Sequence, residues 1–187
     1  GETLNECRIL LPDNSICARL PGLDGNAKMS KSLGNCIYLS DSEEELKKKV
    51  MSMYTDPNHI KVEDPGCIEG NTVFTYLDAF CTEDHFLEYL PDYKNLNEMK
   101  EHYKRGGLGD GTCKKFLISV LEETLNPIRN KRAKLKENID MIYDILKSGT
   151  EKAREITDQT LSHVQKAMQI NYFTNQSIIK EWESLLK

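Results

Sequence analysis

The stretch SDSEEELKKKVMSM, residues 40–53, marks the point at which the chain changes from a loop-rich to a helical composition. Ser40 or Asp41 can serve as an N-cap, and the three glutamates that follow suit the positive N-terminal end of a helix. Each glutamate precedes a lysine by four residues, which favours ion pairs along the helix surface. Asp56-Pro57 is expected to end the helix. Helical spacing predicts a buried side made of Leu46, Val50 and Met53.

The rest of the chain continues the helical pattern between turn-forming residues. Residues 58–71 contain a proline and two glycines and are expected to form a connector. Pro91 and the glycine-rich residues 106–111 mark further interruptions. Pro127 is a favoured first residue of a new helix, and Ser148-Gly149 is a stop signal. A helical region is therefore predicted to begin with residues 73–80 and to be interrupted at Pro91, and further helices are predicted over residues 94–104, 112–125, 127–147, 150–168 and 177–186.

Two long helices in the second half of the chain carry apolar stripes at helical spacing. The stripe of the helix after Pro127 consists of Ile128, Leu135, Ile139, Ile142 and Leu146. The stripe of the helix that Thr150 is expected to cap consists of Ala153, Ile156, Thr160, Val164 and Ala167. Such stripes normally face other helices. A helical bundle is predicted over residues 72–168, with a helical extension over 169–187.

Residues 1–40 have a different composition. Short apolar pieces are broken by Pro12 and Pro21, and residues 36–39 (Cys-Ile-Tyr-Leu) predict a short strand. One strand cannot form a sheet by itself, so we expect these residues to be the edge of a larger α/β domain. The predicted fold is mainly α: a helical bundle preceded by a short α/β edge, with a helix and linker over residues 41–71 between them.

A lysine-bearing loop is the strongest functional signal. Lys28-Met29-Ser30-Lys31-Ser32 lies between Gly25 and Gly34, in a segment with poor helix-forming residues. Two lysines, with hydroxyl and backbone donors, suit a polyphosphate. In nucleotidyl transfer the protein mainly stabilises developing charge. Surface lysines without a ligand are also common in loops, so the residue types alone leave both interpretations open.

The order of these five residues matches the second signature motif of the class I aminoacyl-tRNA synthetases. The surrounding sequence resembles one family within that class, the tryptophanyl-tRNA synthetases. The resemblance covers residues 19–168 and also takes in Ala18. The matching blocks are residues 18–25, 33–35, 37, 39–41, 53–60, 75–80, 102–103, 106–110, 127–129 and 152–154.

The resemblance implies an ATP-dependent ligase that activates tryptophan to tryptophanyl-adenylate and transfers it to tRNA(Trp). It implies that Lys31 stabilises the departing pyrophosphate and that Lys28 is a weaker catalytic partner. Met29, Ser30 and Ser32 would complete the ATP-binding loop. The implied partners are ATP with Mg2+, tryptophan and tRNA(Trp), in a cytoplasmic homodimer that uses the helical bundle to bind the anticodon.

The first signature of the class, His-x-Gly-His in a Rossmann domain, does not occur in the sequence. His59-Ile60 is followed by Lys61-Val62. We therefore expect the chain to correspond to the C-terminal half of such an enzyme, with the edge of the catalytic domain over residues 1–40. We also expect it to be inactive alone.

The charge distribution bears on RNA binding. The net charge is −5, but residues 94–136 carry eleven basic and five acidic side chains. That segment is +6 and the remainder −11. A solvated basic face and an RNA contact remain equally open on charge alone, and the resemblance favours tRNA. The candidate tRNA-binding residues are Lys114, Lys115, Arg129, Arg132 and Lys136.

Other classes fit the sequence less well. The six cysteines include no Cys-x-x-Cys pair, so we predict no metal site. No run of eighteen apolar residues occurs, so we predict no membrane span. Two alternatives remain: a stand-alone helical RNA-binding module without catalytic function, and a different class I synthetase.

Overall fold

The computed structural model describes residues 3–4, 6–11 and 19–186. The predicted break at Pro12, together with Cys17 and Ala18, lies outside these residues. Across the part described there are helices but no strand, apart from an isolated antiparallel bridge between Pro21 and Lys28. The mainly α prediction is confirmed. The helices are α1 Glu43–Met51, α2 Thr72–Phe80, α3 Glu83–Tyr89, α4 Leu96–Arg105, α5 Asp110–Lys136, α6 Ile139–Ala167 and α7 Gln176–Leu185.

The chain forms two compact units. One comprises residues 11–133, and the other comprises residues 1–10 with 134–187. The first unit holds a hydrophobic core built from α1 to α4 and the first half of α5. The side chains at its centre are less than 2% exposed and include Tyr76, Tyr103, Phe74, Phe86, Leu46, Leu77, Met99 and Leu117.

Helix α1 begins later than predicted. Its N-cap is Ser42, whose hydroxyl accepts from the Glu45 N–H while the Glu45 carboxylate accepts from the Ser42 N–H. The predicted caps Ser40 and Asp41 are wrong, because the Asp41 carboxylate instead accepts from the Tyr38 N–H and pairs with Lys49 at 2.5 Å. Glu45 therefore contacts Ser42, and Lys49 contacts Asp41, in place of the predicted pair between Glu45 and Lys49.

The predicted end of α1 is wrong, whereas its predicted buried side is confirmed. The helix ends at Met51, several residues before the predicted stop at Asp56-Pro57, because the backbone leaves the helix where the Ser52 N–H caps the last carbonyls. The predicted buried side is confirmed, since Leu46, Val50 and Met53 are at most 2% exposed.

The strand predicted over residues 36–39 is wrong. A strand requires a second segment beside it to complete its hydrogen-bond ladder. No other part of the described chain pairs in that way with residues 36–39. Cys36 is nevertheless buried and Ile37 packs against the hydrophobic core, whereas Tyr38 and Leu39 are exposed.

Helix α5 runs without interruption through Pro127, so the helix start predicted there is wrong. Side-chain contacts span the proline and hold both halves in line. Arg129 pairs with Glu122, two turns earlier, and donates from Nη1 to the Asp41 carbonyl at 3.2 Å. The helix also begins at Asp110, inside the glycine-rich segment that was predicted to be a break.

In the second unit, the helix break lies at Asn138, whose side chain accepts from the Met141 N–H as an N-cap. Helix α6 then continues through Ser148-Gly149, which was predicted to be a stop. The predicted cap Thr150 lies inside the helix and donates from Oγ1 to the Leu146 carbonyl at 2.7 Å. One internal glycine costs about 1 kcal/mol, which a 29-residue helix can absorb.

The inward stripes predicted for this part of the chain are wrong in this unit. No described residue of α6 is buried, and Ile139, Leu146 and Ile156 are between 61% and 65% exposed. An apolar stripe is buried only where another element packs against it. Helix α7 also leaves Leu185 exposed, while Trp182 stacks near Tyr172 with ring centroids 6.2 Å apart.

Among the described residues, no helix is both long enough and apolar enough to cross a bilayer.

Candidate functional site

The lysine loop, residues 28–32, starts from a tight turn. The Gly22 N–H donates to the Ala27 carbonyl at 2.7 Å, and Pro21 bridges to Lys28 across the turn. Gly25 adopts a φ of +73°, and a Cβ there would lie 2.7 Å from the Tyr54 ring. The turn therefore requires glycine at position 25 for both its backbone conformation and its close packing.

The base of the loop is tied to the hydrophobic core. The Tyr76 hydroxyl on α2 donates to the Pro21 carbonyl at 2.8 Å, and the Tyr54 N–H donates to the Leu23 carbonyl at 2.8 Å. Leu23 is buried and Met29 packs against the same core. Burial raises the pKa of Tyr76 above its ordinary value of 10.0, so its hydroxyl remains a donor in alkaline solution as well as at neutral pH. The loop thus emerges from a rigid support.

Asn35 connects the two sides of the loop. Its Oδ1 accepts from the Ser30 N–H at 2.8 Å, while Nδ2 donates to Asp24 Oδ1 at 3.2 Å and lies 3.4 Å from the Lys28 carbonyl. Its own carbonyl accepts from the Leu23 N–H at 2.9 Å. Asn35 is buried, and its side-chain hydrogen bonds are partly shielded from water.

The lysines themselves point to solvent. Lys28 and Lys31 are exposed, and neither forms an ion pair with any residue that the structure describes. The Ser30 and Ser32 hydroxyls lie 2.9 Å apart, and the Gly34 N–H closes the turn by donating to the Lys31 carbonyl. Exposed ammonium groups and hydroxyl donors in one short loop have the chemistry that suits an anion.

Comparison with known proteins identifies the family of this chain. A family model described as tRNA synthetases class I (W and Y) matches residues 2–126, more than half of the chain. The chain belongs to this family. The resemblance inferred from residues 28–32 and the flanking blocks is confirmed.

Individual relatives of this class I synthetase chain point the same way. It is 55% identical over 174 residues to a tryptophan–tRNA ligase of Clostridium longisporum, covering 93% of this chain and 48% of the relative. It is 56% identical over 164 residues to the ligase of Streptococcus mutans, covering 88% and 46%. The chain spans about half the length of the curated relatives it matches.

A solved relative has a similar fold. The tryptophanyl-tRNA synthetase of Campylobacter jejuni, determined in complex with ADP and tryptophan, superimposes with a TM-score of 0.64 at 30% sequence identity. The match covers 81% of this chain and 44% of that protein.

The basic residues of α5 in this synthetase chain differ in their availability. Arg129 is 16% exposed and is held by Glu122 and the Asp41 carbonyl. Lys114 is half-buried and donates from Nζ to the Met51 carbonyl at 3.0 Å, and burial lowers its pKa. Both side chains therefore support the fold.

Lys115, Arg132 and Lys136 are exposed. Lys115 lines an open cavity of about 660 Å³ together with Lys47, Tyr89, Glu122 and Glu123. Lys136 belongs to the second unit, whereas the other four candidates belong to the first. Of the five candidate tRNA-binding residues, two therefore stabilise the fold and three face solvent.

Sequence reasoning did not single out two groups of residues. Asn35 was part of a matching block, but nothing in its local sequence indicated a link to Ser30. A partly buried network also lies at the start of α5: the Tyr103 hydroxyl donates to Asp110 Oδ1 at 2.8 Å, and His59 Nδ1 lies 3.3 Å from Asp110 Oδ2. Burial and the Asp110 carboxylate raise the pKa of Tyr103. All three residues lie in blocks that match the family, but His59 is 51 positions from Asp110, so no periodic signal indicated that they meet.

Proposed function

We propose that this chain is the C-terminal half of a tryptophan–tRNA ligase, carrying its ATP loop and its tRNA-binding helices. The observation that carries the proposal is the lysine loop, whose two unpaired ammonium groups stand on a rigid base. Several curated relatives at 54–56% identity are named tryptophan–tRNA ligase. The Campylobacter relative was determined with ADP and tryptophan, ligands that suit such an enzyme.

The proposed reaction has two steps. An oxygen of the tryptophan carboxylate attacks the α-phosphorus of ATP, the bond to the bridging oxygen breaks, and pyrophosphate leaves with that electron pair. A terminal tRNA hydroxyl then attacks the carbonyl carbon of the adenylate, loses its proton to solvent, and releases AMP. Negative charge develops on the leaving pyrophosphate in the first step, and this is where a positive side chain has its largest effect.

In this proposal Lys31 binds the leaving phosphates and Lys28 supports it. The Ser30 and Ser32 hydroxyls donate to phosphate oxygens, and Met29 anchors the loop to the core. These donors suit anions rather than cations, so Mg2+ would reach the site bound to the nucleotide's phosphates. When bound there, Mg2+ would neutralise part of the phosphate charge.

The helical residues 72–168 form the proposed anticodon-binding region, with residues 1–40 as the edge of the catalytic domain. Lys114, Lys115, Arg129, Arg132 and Lys136 remain the candidate tRNA-binding residues. The exposed Lys115, Arg132 and Lys136 are better placed than Lys114 and Arg129, which are engaged within the unit. The homodimer and the cytoplasmic location also remain predictions from the resemblance.

The test uses a joined enzyme, in which the N-terminal half of the Clostridium longisporum ligase precedes this chain. We expect it to catalyse tryptophan-dependent exchange between ATP and radiolabelled pyrophosphate, and to charge tRNA(Trp). The 187-residue chain alone should do neither, because its sequence contains no His-x-Gly-His.

A joined enzyme that is folded but inactive would contradict the proposal. A chain that binds tRNA tightly while the joined enzyme stays inactive would favour the stand-alone RNA-binding module. A chain that restores exchange to the N-terminal half of a different class I synthetase, and not to the Clostridium half, would favour that other synthetase.

A further inference from the structure

We propose that Asn35 is a positioning residue that sets where Lys31 meets the leaving pyrophosphate. This inference rests on the proposed function of the lysine loop. Asn35 itself is too deeply buried to touch a nucleotide, at 7% exposure. Its effect must therefore pass through the residues that it holds.

Both the oxygen and the nitrogen of the Asn35 amide form hydrogen bonds in or next to the lysine loop. The Ser30 N–H, midway between the two lysines, donates to Oδ1 at 2.8 Å. The Nδ2 group donates to Asp24 Oδ1 and approaches the Lys28 carbonyl. One side chain thus joins the turn before the lysine loop, the backbone at its start and the backbone at its centre.

The surrounding backbone is shaped around this amide. A Cβ on Gly22 would lie 2.1 Å from Asn35 Nδ2, so the amide occupies the space that a side chain at position 22 would fill. The Asn35 carbonyl accepts from the Leu23 N–H, which fixes its own backbone to the base of the loop. The amide cannot shift far without losing one of these contacts.

Lys31 depends on this arrangement because the outer part of the loop has little other support. Residues 31–34 are exposed, and a hydrogen bond from the Gly34 N–H to the Lys31 carbonyl closes their turn. A misplacement of about 1 Å in a catalytic group can reduce a rate by about 100-fold. Loss of the Asn35 contacts should therefore reduce kcat for tryptophan activation and leave the KM for tryptophan nearly unchanged.

The structural half of the proposal can be tested on the chain as it is. In Asn35→Ala the Ser30 N–H loses its acceptor, so its amide hydrogen exchange, followed by NMR, should accelerate at least tenfold. The Leu46 amide in α1 should exchange at its original rate. An unchanged Ser30 exchange rate would overturn the proposal.

The catalytic half uses the joined enzyme and a double-mutant cycle. Asn35→Ala should lower kcat of ATP–pyrophosphate exchange by about 10- to 100-fold in the parent enzyme. It should cause little further loss in the Lys31→Ala background, because the side chain that it positions is already gone. Equal losses in both backgrounds would show a merely structural role and overturn the proposal.

A reciprocal exchange provides the matched control. Asn35→Asp places a second carboxylate against Asp24 and should reduce kcat. Combining it with Asp24→Asn restores a donor–acceptor pair between positions 24 and 35, although the new carboxylate still faces the Lys28 carbonyl. The double variant should therefore recover part of the lost rate, and a normally folded double variant no faster than Asn35→Asp would overturn the proposal. An inactive parent joined enzyme would instead contradict the proposed function itself, so the two failures are distinguishable.

Discussion

The lysine loop and the basic segment of α5 are both rich in positive charge, but their side chains are used differently. The two loop lysines are exposed and make no ion pair within the described chain. On α5, Arg129 and Lys114 are already occupied by contacts that stabilise the fold. Counting basic residues therefore overstates the charge available to a ligand on α5, whereas the order of residues in the loop identifies available charge.

The largest expected effect is in the loop. Lys31→Ala in the joined enzyme should lower kcat of tryptophan activation by about 10²–10³-fold, because one contact that stabilises leaving-group charge is lost. Lys28→Ala should cost less. Pyrophosphate exchange measures both, with Lys48→Ala, an exposed lysine on α1, as the control. Turnover that stays at the parent level in Lys31→Ala would contradict the assigned role.

A smaller effect is expected on α5, and on stability rather than catalysis. Arg129→Ala should lower the free energy of unfolding by about 1–3 kcal/mol, because Glu122 and the Asp41 carbonyl lose their charged donor. Arg132→Ala, on the same helix but exposed, should change it by less than about 0.5 kcal/mol. Urea unfolding of the 187-residue chain measures both, and equal losses would show that Arg129 is not a structural contact.

The free energy of unfolding should depend on pH through Cys113, a buried residue of α5. Burial raises the pKa of Cys113 to about 12 from an ordinary value of 9.0. The unfolded chain therefore releases this proton first, and stability should fall as the pH rises above about 9, by up to about 1.4 kcal/mol per pH unit. Cys113→Ala should make the fall shallower in urea unfolding between pH 8 and pH 10. An identical slope in both proteins would exclude Cys113 as a source of the pH dependence.

The smallest effect concerns RNA. Arg132→Ala should weaken tRNA(Trp) binding and reduce the slope of log Kd against log salt concentration by about one. Arg129→Ala should leave that slope nearly unchanged in protein that remains folded. Filter binding at several salt concentrations measures the slopes. A larger change in slope with Arg129→Ala than with Arg132→Ala would contradict the prediction that the more exposed arginine contacts the RNA.

Local sequence was a good guide to some elements and a poor guide to others. The spacing of Leu46 and Val50 predicted the buried side of α1, since residues on one helix face follow a local period, and Met53 is buried just beyond the helix end. The predictions at Pro127 and at Ser148-Gly149 were wrong for different reasons. The Arg129 contacts with Glu122 and the Asp41 carbonyl span the proline, whereas one glycine in a long helix costs only about 1 kcal/mol. The cap of α1 moved to Ser42 because Asp41 has other partners.

In the candidate site, too, one part was predictable from local sequence and another was not. The order Lys28-Met29-Ser30-Lys31-Ser32 was sufficient to predict the loop and its family, because that order is itself the signal. The support beneath it was not predictable, since the Tyr76 hydroxyl reaches the Pro21 carbonyl across 55 positions of sequence. The link from Arg129 to the Asp41 carbonyl spans 88 positions.

By itself, the sequence determined that the chain is mainly helical, that it carries a paired-lysine loop and that its family is that of the class I synthetases. Each of these follows from residue order or local periodicity. Only the tertiary structure decided that Asn35 holds the loop and that Arg129 is bound within the fold. Both depend on which distant groups share a buried space, because a hydrogen bond shielded from water forms between neighbours in space rather than in sequence.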